Sequence, residues 1–449
     1  MIIFKQHIKI IYLFLLFPLL LLILSCQTPL PPGPGSPVAA PLPTAPPAEL
    51  LKGGPLPFKA TVAVLPLDNI SKKSELEWHS EGIPESLIAK LQNVRSLHMV
   101  ERMRIRRVID EQKLQMSGLV DPGAVRETGK LLGADTILTG TFQESRGEIR
   151  INVRLVQVET GSVLRAIEET GTLDRIFQVQ DRLAARLVAE LGYRMEEDEG
   201  RRMTLYATNS LDAYQFYIRG RDQYFRFNRE GYEKAVEFYR EAIRLDPGFV
   251  LAHAGIGDAL ATLSYSRRKA GESYDGLLRQ ASEAAEKAVA LNPASSEAHR
   301  ALAHAHNNAF YFQESRREAE KALALNPNDA EAWYLLGQAA TTAPVDLDRA
   351  EICYNHALRL NSSYAMAYNS LGWYVYLERK WYDKAAEVFK RAIQISPDFV
   401  EAHDSLGEAY FRMGRYPEAA AAFKKALELQ PSHKHAGQRY PEAMKKIGK

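Results

Sequence analysis

Apolar and polar positions follow four successive rhythms along this chain. An apolar run extends from Ile10 to Leu24, broken by Pro18 and preceded by Lys5 and Lys9. Between Thr28 and Pro57 apolar bulk nearly vanishes, and proline, glycine and alanine take over. From Phe58 to Arg194 short β-type runs alternate with stretches of helical spacing. Beyond Leu211 helical spacing takes over and recurs at intervals near 34 residues.

Within the first of the two long regions, the spacing predicts strands over Ala60–Leu67, Leu97–Val100, Thr136–Phe142, Ile149–Val158 and Val163–Glu169. Helices are expected over Glu81–Val94 and Arg104–Leu114, with Ile105, Val108 and Ile109 on one face. Asp121-Pro122 opens another helix running to Leu132, and Asp174 caps a last one ending near Leu191. Turns at Arg146-Gly147-Glu148 and Thr160-Gly161 make the last three strands antiparallel hairpins. The expected fold is a mixed α/β domain over 58–194. Its ordered blocks VAVLPLDN, VERMRIRRVIDEQKLQMSGLVDP, GKLLGADTILTG and VRLVQVETGSVL resemble the CsgG-like family of curli-secretion lipoproteins and the related FlgO-like and TolB amino-terminal-type domains. Glu101-Arg102, Glu111-Gln112 and Gly133-Ala134-Asp135 carry most of the likeness. CsgG itself forms a pore from two membrane hairpins per subunit. Four such strands need roughly 40 residues beyond the soluble fold, and 58–194 has no such inserts. Pore formation is therefore not expected, while assembly of a homo-oligomer through 58–194 is left open by the resemblance.

The later region closes its units with Pro247, Pro293, Pro327, Pro397 and Pro431, with Ser362 standing in once. The last unit has His403, Leu406, Gly407 and Tyr410 on its first helix and Ala419, Phe423 and Ala426 on its second. Tyr368, Leu371, Gly372, Ala385, Phe389 and Ala392 precede it, and before them Trp333, Leu336, Gly337, Ala350, Tyr354 and Ala357. This resembles the tetratricopeptide repeat, which implies six units over 209–432 stacked into an all-α superhelix, with 433–449 as a capping helix. A single helix pair cannot bury its apolar face, so neighbours must stack. Projecting the family's groove positions onto this chain selects Arg300, His304, Asn307, Tyr334, Gln338, Asn369, Trp373, Tyr376, Asp404, Glu408 and Phe411 as a candidate peptide groove. Mixed aromatic and polar groups suit an extended protein or peptide segment. Several of them, Tyr376 especially, would serve equally well as packing between units.

The basic residues before a short apolar run form an export signal over 1–25. Ile23-Leu24-Ser25-Cys26 resembles the bacterial lipobox, which implies lipid attachment at Cys26 and a membrane anchor. Gln27 is not the aspartate that retains such proteins at the inner membrane, so the resemblance implies an outer-membrane lipoprotein facing the periplasm. Residues 26–57 then read as an extended Pro-rich linker, reaching ~3.1 Å per residue.

Composition narrows the function. A net charge of +2 leaves no basic excess for nucleic acid. Two cysteines, Cys26 and Cys353, cannot build a disulfide framework or a four-ligand zinc site. His304-Ala305-His306 and His433-Lys434-His435 place imidazoles two residues apart, where a helix turns them to different sides. Gly129-Lys130 lacks the glycine spacing of a phosphate loop, and the Arg104–Arg107 cluster reads as a solvated helix face. No nucleophile–base pairing stands out. The expectation is a tethered periplasmic adaptor that is not an enzyme and needs no cofactor or metal, or alternatively an accessory subunit of an envelope secretion or assembly complex.

Overall fold

A computed structural model describes residues 45–448 except 55, 57, 58, 101, 112–121, 205–207, 227 and 343. Cys26, the expected export signal and most of the Pro-rich stretch therefore lie outside the described residues, as do Glu101 and Gln112.

The N-terminal half is a mixed sheet built from β1 (Ala60–Val64), β2 (Asp68–Asn69), β3 (Leu97–Met99), β4 (Thr136–Ser145), β5 (Glu148–Gln157) and β6 (Val163–Thr172). The order is β3-β1-β4-β5-β6, with β2 paired beside β4. β1 runs parallel to β3 and β4, with Val62 opposite Thr136, while β4, β5 and β6 form an antiparallel meander. Arg146 and Gly147 turn the first hairpin with φ of 56° and 83°, the two left-handed residues that a tight right-twisted hairpin requires. β5 alternates buried Ile149, Ile151, Val153 and Leu155 with outward Arg150 and Arg154. The inward set packs beneath α2 (His79–Leu91) and α5 (Ile176–Glu190). On the other face α3 (Arg102–Glu111) and α4 (Pro122–Leu132) cover Ala63, Leu65, Ile137 and Val156.

Two local expectations need correcting. Asp174 does not cap α5; it lies in a single 3-10 turn, Leu173–Arg175, and the helix begins after Arg175 with no side-chain cap. A further helix, α6 (Glu197–Thr204), was not foreseen because EDEGRRMT has no apolar period. Its one large apolar side chain, Met203, is buried in the core, and polar contacts hold the rest: Glu199 accepts the Arg95 N–H at 3.0 Å, and Lys90 donates to the Met203 carbonyl at 3.3 Å.

Among the described residues, consecutive helices beyond Leu211 stack as six antiparallel pairs. They are α7 (Leu211–Tyr224) with α8 (Arg229–Leu245), α9 (Val250–Ala270) with α10 (Asp275–Leu291), and α11 (Ser296–Asn308) with α12 (Phe312–Leu325). Then come α13 (Ala330–Ala340) with α14 (Leu347–Leu360), α15 (Ala365–Leu371) with α16 (Tyr382–Ile395), and α17 (Val400–Arg412) with α18 (Tyr416–Leu429). A last helix, α19 (Lys434–Ile447), packs on the end. The small residues of the pattern serve close approach. A Cβ added at Gly407 would fall 2.6 Å from the Phe423 ring, and one at Gly337 2.8 Å from Tyr354. After Leu371 the fifth unit's first helix widens into a π-helical turn, Gly372–Tyr376.

The two halves share one core. Tyr214, Tyr217 and Phe249 of the first repeats join Leu87, Leu91, Phe177 and Leu183 of the sheet domain in a single buried cluster. The ring of Tyr214 stands edge-on to Phe177 at 5.3 Å, and its hydroxyl donates to the Gly82 carbonyl at 3.0 Å. The end of the expected linker is also claimed by the fold. Ala48–Leu51 forms a short helix, α1, whose Leu50 is buried beneath α14 and whose carbonyl bonds His356 Nε2 at 2.9 Å. The leucines in this segment supply the apolar surface that the preceding proline-rich stretch lacks.

Candidate partner-binding groove

By the tetratricopeptide resemblance, the first helix of each pair would line the inner face of the array. Its start is fixed by a turn that the sequence reading passed over. Asp246, Asn292, Asn326 and Asn361 each accept a backbone N–H two residues on, at 2.9–3.0 Å, closing an Asx turn between units. Where Ser362 replaces proline, Asn361 still closes the turn.

The eleven candidate groove residues fall into three zones, of which two are covered by the chain itself. At the N-terminal end the sheet domain packs against the inner face. Arg300 is not an open ligand contact: it bonds Asp258 at 2.9 Å and Glu331 at 2.8 Å. His304 turns to the same Asp258 at 3.3 Å. Glu85 of α2 takes Arg221 at 2.9 Å and lies 3.7 Å from Arg102, and Arg106 pairs with Asp222. The arginines of α3 thus include cross-links to the repeats rather than forming a purely solvated face. Asn328 donates to the carbonyls of Arg95 and Leu97 at 3.1 and 2.9 Å, pinning the β3 edge to the turn between the third and fourth units. A cavity of about 140 Å³ remains at this junction, room for a few waters rather than a drug-sized ligand. Burial opposes charge here, yet Glu331 and Asp258 keep the Arg300 guanidinium firmly ionised. Asp329 fares differently. Burial pushes its carboxyl up to about 6, because Arg300 offsets only part of the cost.

At the other end α19 lies over Asp404, Glu408 and Phe411. His435 Nδ1 bonds Asp404 at 2.9 Å, Arg439 Nε donates to Glu408 at 2.8 Å, and the Arg439 guanidinium stacks 3.9 Å above the Phe411 ring. The Asp404 hydrogen bond raises the His435 pKa against the opposing effect of burial. His433 also approaches Asp404, at 4.0 Å, because it is the helix cap and not a helical neighbour of His435. The expectation that these imidazoles face apart fails for that reason.

Between the two ends lie Asn307, Tyr334, Gln338, Asn369, Trp373 and Tyr376, and α19 reaches this zone too, His435 standing edge-on to the Trp373 ring at 5.6 Å. Tyr334 is buried and serves as a hinge of a polar chain. Asn307 Nδ2 donates to Gln338 Oε1 at 2.9 Å, Gln338 Nε2 donates to the Tyr334 hydroxyl at 2.8 Å, and that hydroxyl lies 3.4 Å from Ser370. The Oδ1 atoms of Asn307 and Asn369 are buried without a hydrogen-bond partner. Trp373 and Tyr376 belong to the π-helical turn, half-buried, with Tyr376 packed 5.9 Å from Trp381. Burial pushes the Tyr376 hydroxyl up to about 12. Cys353 is buried on α14, and its thiol is likewise pushed up to about 12.

Asp258 was the principal residue missed. Applying the same groove projection to the second unit reaches it directly, one residue after Gly257. Arg221 and Glu85 gave no such signal, since their partnership joins helices 136 residues apart. Among the described residues no group of three potential metal ligands is assembled, and no helix is long and apolar enough to cross a membrane.

Residues 49–144 match the model of the curli production assembly/transport component CsgG. Tetratricopeptide-repeat models match 231–249, 296–339 and 400–433, and a TPR-repeat model matches 374–414. The chain is 27% identical over 248 residues to putative adenylate cyclase 3 of Rhizobium meliloti (strain 1021), which covers 55% of this chain. It spans only 40% of that relative's length. Among solved structures, MamA is 30% identical and covers 38% of this chain and 95% of its own, with a TM-score of 0.31. A thermophilic TPR protein of Thermus thermophilus is 25% identical over 42% of this chain and 98% of its own, with a TM-score of 0.36. The chain therefore carries a CsgG-type α/β domain that continues into an array of tetratricopeptide repeats.

Proposed function

We propose that this protein-interaction scaffold holds an extended segment of a partner protein in the middle of its groove, between the two ends that the chain covers itself. One observation carries the reading. Two buried amide oxygens, on Asn307 and Asn369, lack hydrogen bonds on the inner face, and such atoms are costly unless a partner supplies donors. A peptide backbone provides N–H donors at suitable intervals, and the half-buried Trp373 offers a ring for a side chain to pack on. In this reading the chain does no chemistry of its own, and the cyclase name describes the relative alone. Lipid attachment at Cys26 would tether the scaffold to the outer membrane, facing the periplasm, consistent with the export-type N-terminus.

The test is a photo-crosslinking amino acid placed at Trp373 in intact cells, with Asp404 beneath α19 as the comparison site. Capture of a defined protein from 373 and little from 404 is expected. Equal capture from both, or capture only from surface positions of the sheet domain, would show that the groove is misassigned.

A second reading is an accessory subunit of an envelope assembly complex that oligomerises through 58–194. One feature favours it: among the described residues β6 pairs with β5 alone, leaving a ten-residue strand at the sheet edge. Light scattering of the full chain in detergent separates the two, since this reading requires a discrete multi-subunit ring.

A further inference from the structure

One repeat of the array can be compared with another, place by place. α14 of the fourth unit and α18 of the sixth are equivalent, Ala350, Tyr354 and Ala357 falling where Ala419, Phe423 and Ala426 fall. In the fourth unit the chain seats a piece of itself beside α14. Leu50 of α1 joins the buried cluster that holds Leu323, Trp333, Leu336 and Cys353. Its carbonyl bonds His356 Nε2 at 2.9 Å, and a Cβ added at Gly53 would meet the Ile352 side chain at 3.6 Å.

In the sixth unit the places of Leu323, Trp333, Leu336, Cys353, His356 and Ile352 are held by Ile393, His403, Leu406, Ala422, Lys425 and Ala421. These residues line one groove of about 490 Å³, the size of an ordinary ligand site. The two grooves differ in exposure. Leu323, Trp333 and Leu336 are buried, whereas Ile393, His403 and Leu406 are only half-buried and Ala421 is exposed. In the fifth unit the place of Ile352 is held by Glu387, a charge where the other two units have an apolar side chain.

The ionic groups lining the sixth-unit groove are Lys390, Lys425 and Glu418, and Arg415 already holds Glu418 at 2.7 Å. Lys425 also lies 3.6 Å from Glu428, an exposed pair on one helix that contributes little. The lining therefore suits an acidic residue beside an apolar one, as Glu49 stands beside Leu50 in α1.

We propose that the sixth-unit groove binds one helical turn of a partner protein, carrying a leucine pair after an acidic residue as Ala48–Leu51 does in the fourth unit. The first leucine enters between Ile393, Leu406 and Ala422, and Lys425 donates to its carbonyl in the place of His356. The α1 of a second copy is a poorer occupant, because its own chain holds it at high effective concentration beside its own fourth unit. His403, Leu406 and Tyr410 recur at helical spacing on a different face of α17 from Asp404, Glu408 and Phe411. The site is therefore separate from the inner groove, and none of the described residues of α19 lines it.

The test uses the full chain in detergent and a synthetic peptide of residues 45–54 with photo-leucine in place of Leu50. Irradiation should label the wild type within α16–α18 at the groove, and excess unmodified peptide should suppress that labelling. Ala421→Trp fills the groove from an exposed helical place and should abolish it. Lys425→Glu, also exposed, removes the donor, repels Glu49 and should weaken it. Leu50→Ala in the protein vacates the fourth unit and should add labelling around Cys353, which reports that the peptide takes the seated form. An unlabelled sixth unit, or labelling there that survives Ala421→Trp, would overturn the proposal. A dimer in light scattering that Ala421→Trp dissociates would do so as well, by giving the groove to a second copy. Crosslinking from Trp373 addresses the inner groove alone, so failure of either site leaves the other standing.

Discussion

At the scale of single residues, the ring at the fourth position of each unit shows how much chemistry a pattern can conceal. His253, His299, Trp333 and His403 each use a ring nitrogen to bond the carbonyl of the proline six residues earlier, at 2.8–3.1 Å. In the fifth unit that proline is Ser362, and the ring is Tyr368, which has no ring N–H to give. The sequence made the aromatic position legible, but its role as a tie to the preceding turn needed coordinates. Asp329 offers a sharper test. Its carboxyl is raised from 3.8 to about 6, mainly by burial, while its Oδ1 caps α13 by accepting the Ala332 N–H at 2.9 Å. A folded pKa above the unfolded one means that ionisation costs stability. The cost is absent below about pH 3.8 and complete above about pH 6. Asp329→Asn keeps a capping oxygen and removes the buried charge. It should raise stability at pH 7 by on the order of 1 kcal/mol, with the gap closing toward pH 4 in thermal melts. A lower Tm at pH 7 would show instead that Arg300 depends on this carboxylate.

Elements were legible where apolar period and turn chemistry agreed. The hairpins of β4, β5 and β6 follow from strict alternation and from Arg146-Gly147. α6 escaped because a single apolar side chain, Met203, with Glu199 and the Met203 carbonyl anchors it, and one apolar residue makes no period. α1 escaped because its four residues end a stretch whose composition reads as extended. The capping helix was visible as a polar tail, but its grip on the groove was not, since nothing in residues 434–438 announces that His435 will meet Asp404. That grip is pH dependent. The His435 pKa is raised above 6.5, first by its bond to Asp404, with Asp404 and Glu408 adding attraction and Arg439 opposing. The stabilisation is therefore full below pH 6.5 and is lost as pH rises through the folded value. Hydrogen exchange of Lys434–Ile447, corrected for intrinsic rates, should show lower protection at pH 9 than at pH 6. His435→Gln should abolish that difference, and a protection that ignores pH in the wild type would remove the imidazole from the argument.

For the whole molecule, the sequence spoke of two domains joined in series and the structure shows one continuous packing. Glu85 with Arg221, Gln92 with Glu297 and Arg95 with Asn328 join segments that lie far apart in the chain. Periodicity reports which face of a helix is apolar and is silent on what that face will meet. The shared core predicts a single cooperative unfolding transition seen alike by probes in the sheet and in the repeats. Tyr214→Ala, which empties the contact with Phe177 and frees the Gly82 carbonyl, should lower stability by about 3–5 kcal/mol and shift both probes together. Two transitions, with the sheet melting unchanged, would mean that the halves are energetically separate. The small clip of Leu50 under α14 then takes on a mechanical meaning. Under the proposed lipid tether at Cys26, tension from upstream would meet the array at its fourth repeat and load one leucine and one imidazole before it reached any strand. A latch so placed would spare the sheet from tugging by its own leash, and would lengthen the leash each time it let go.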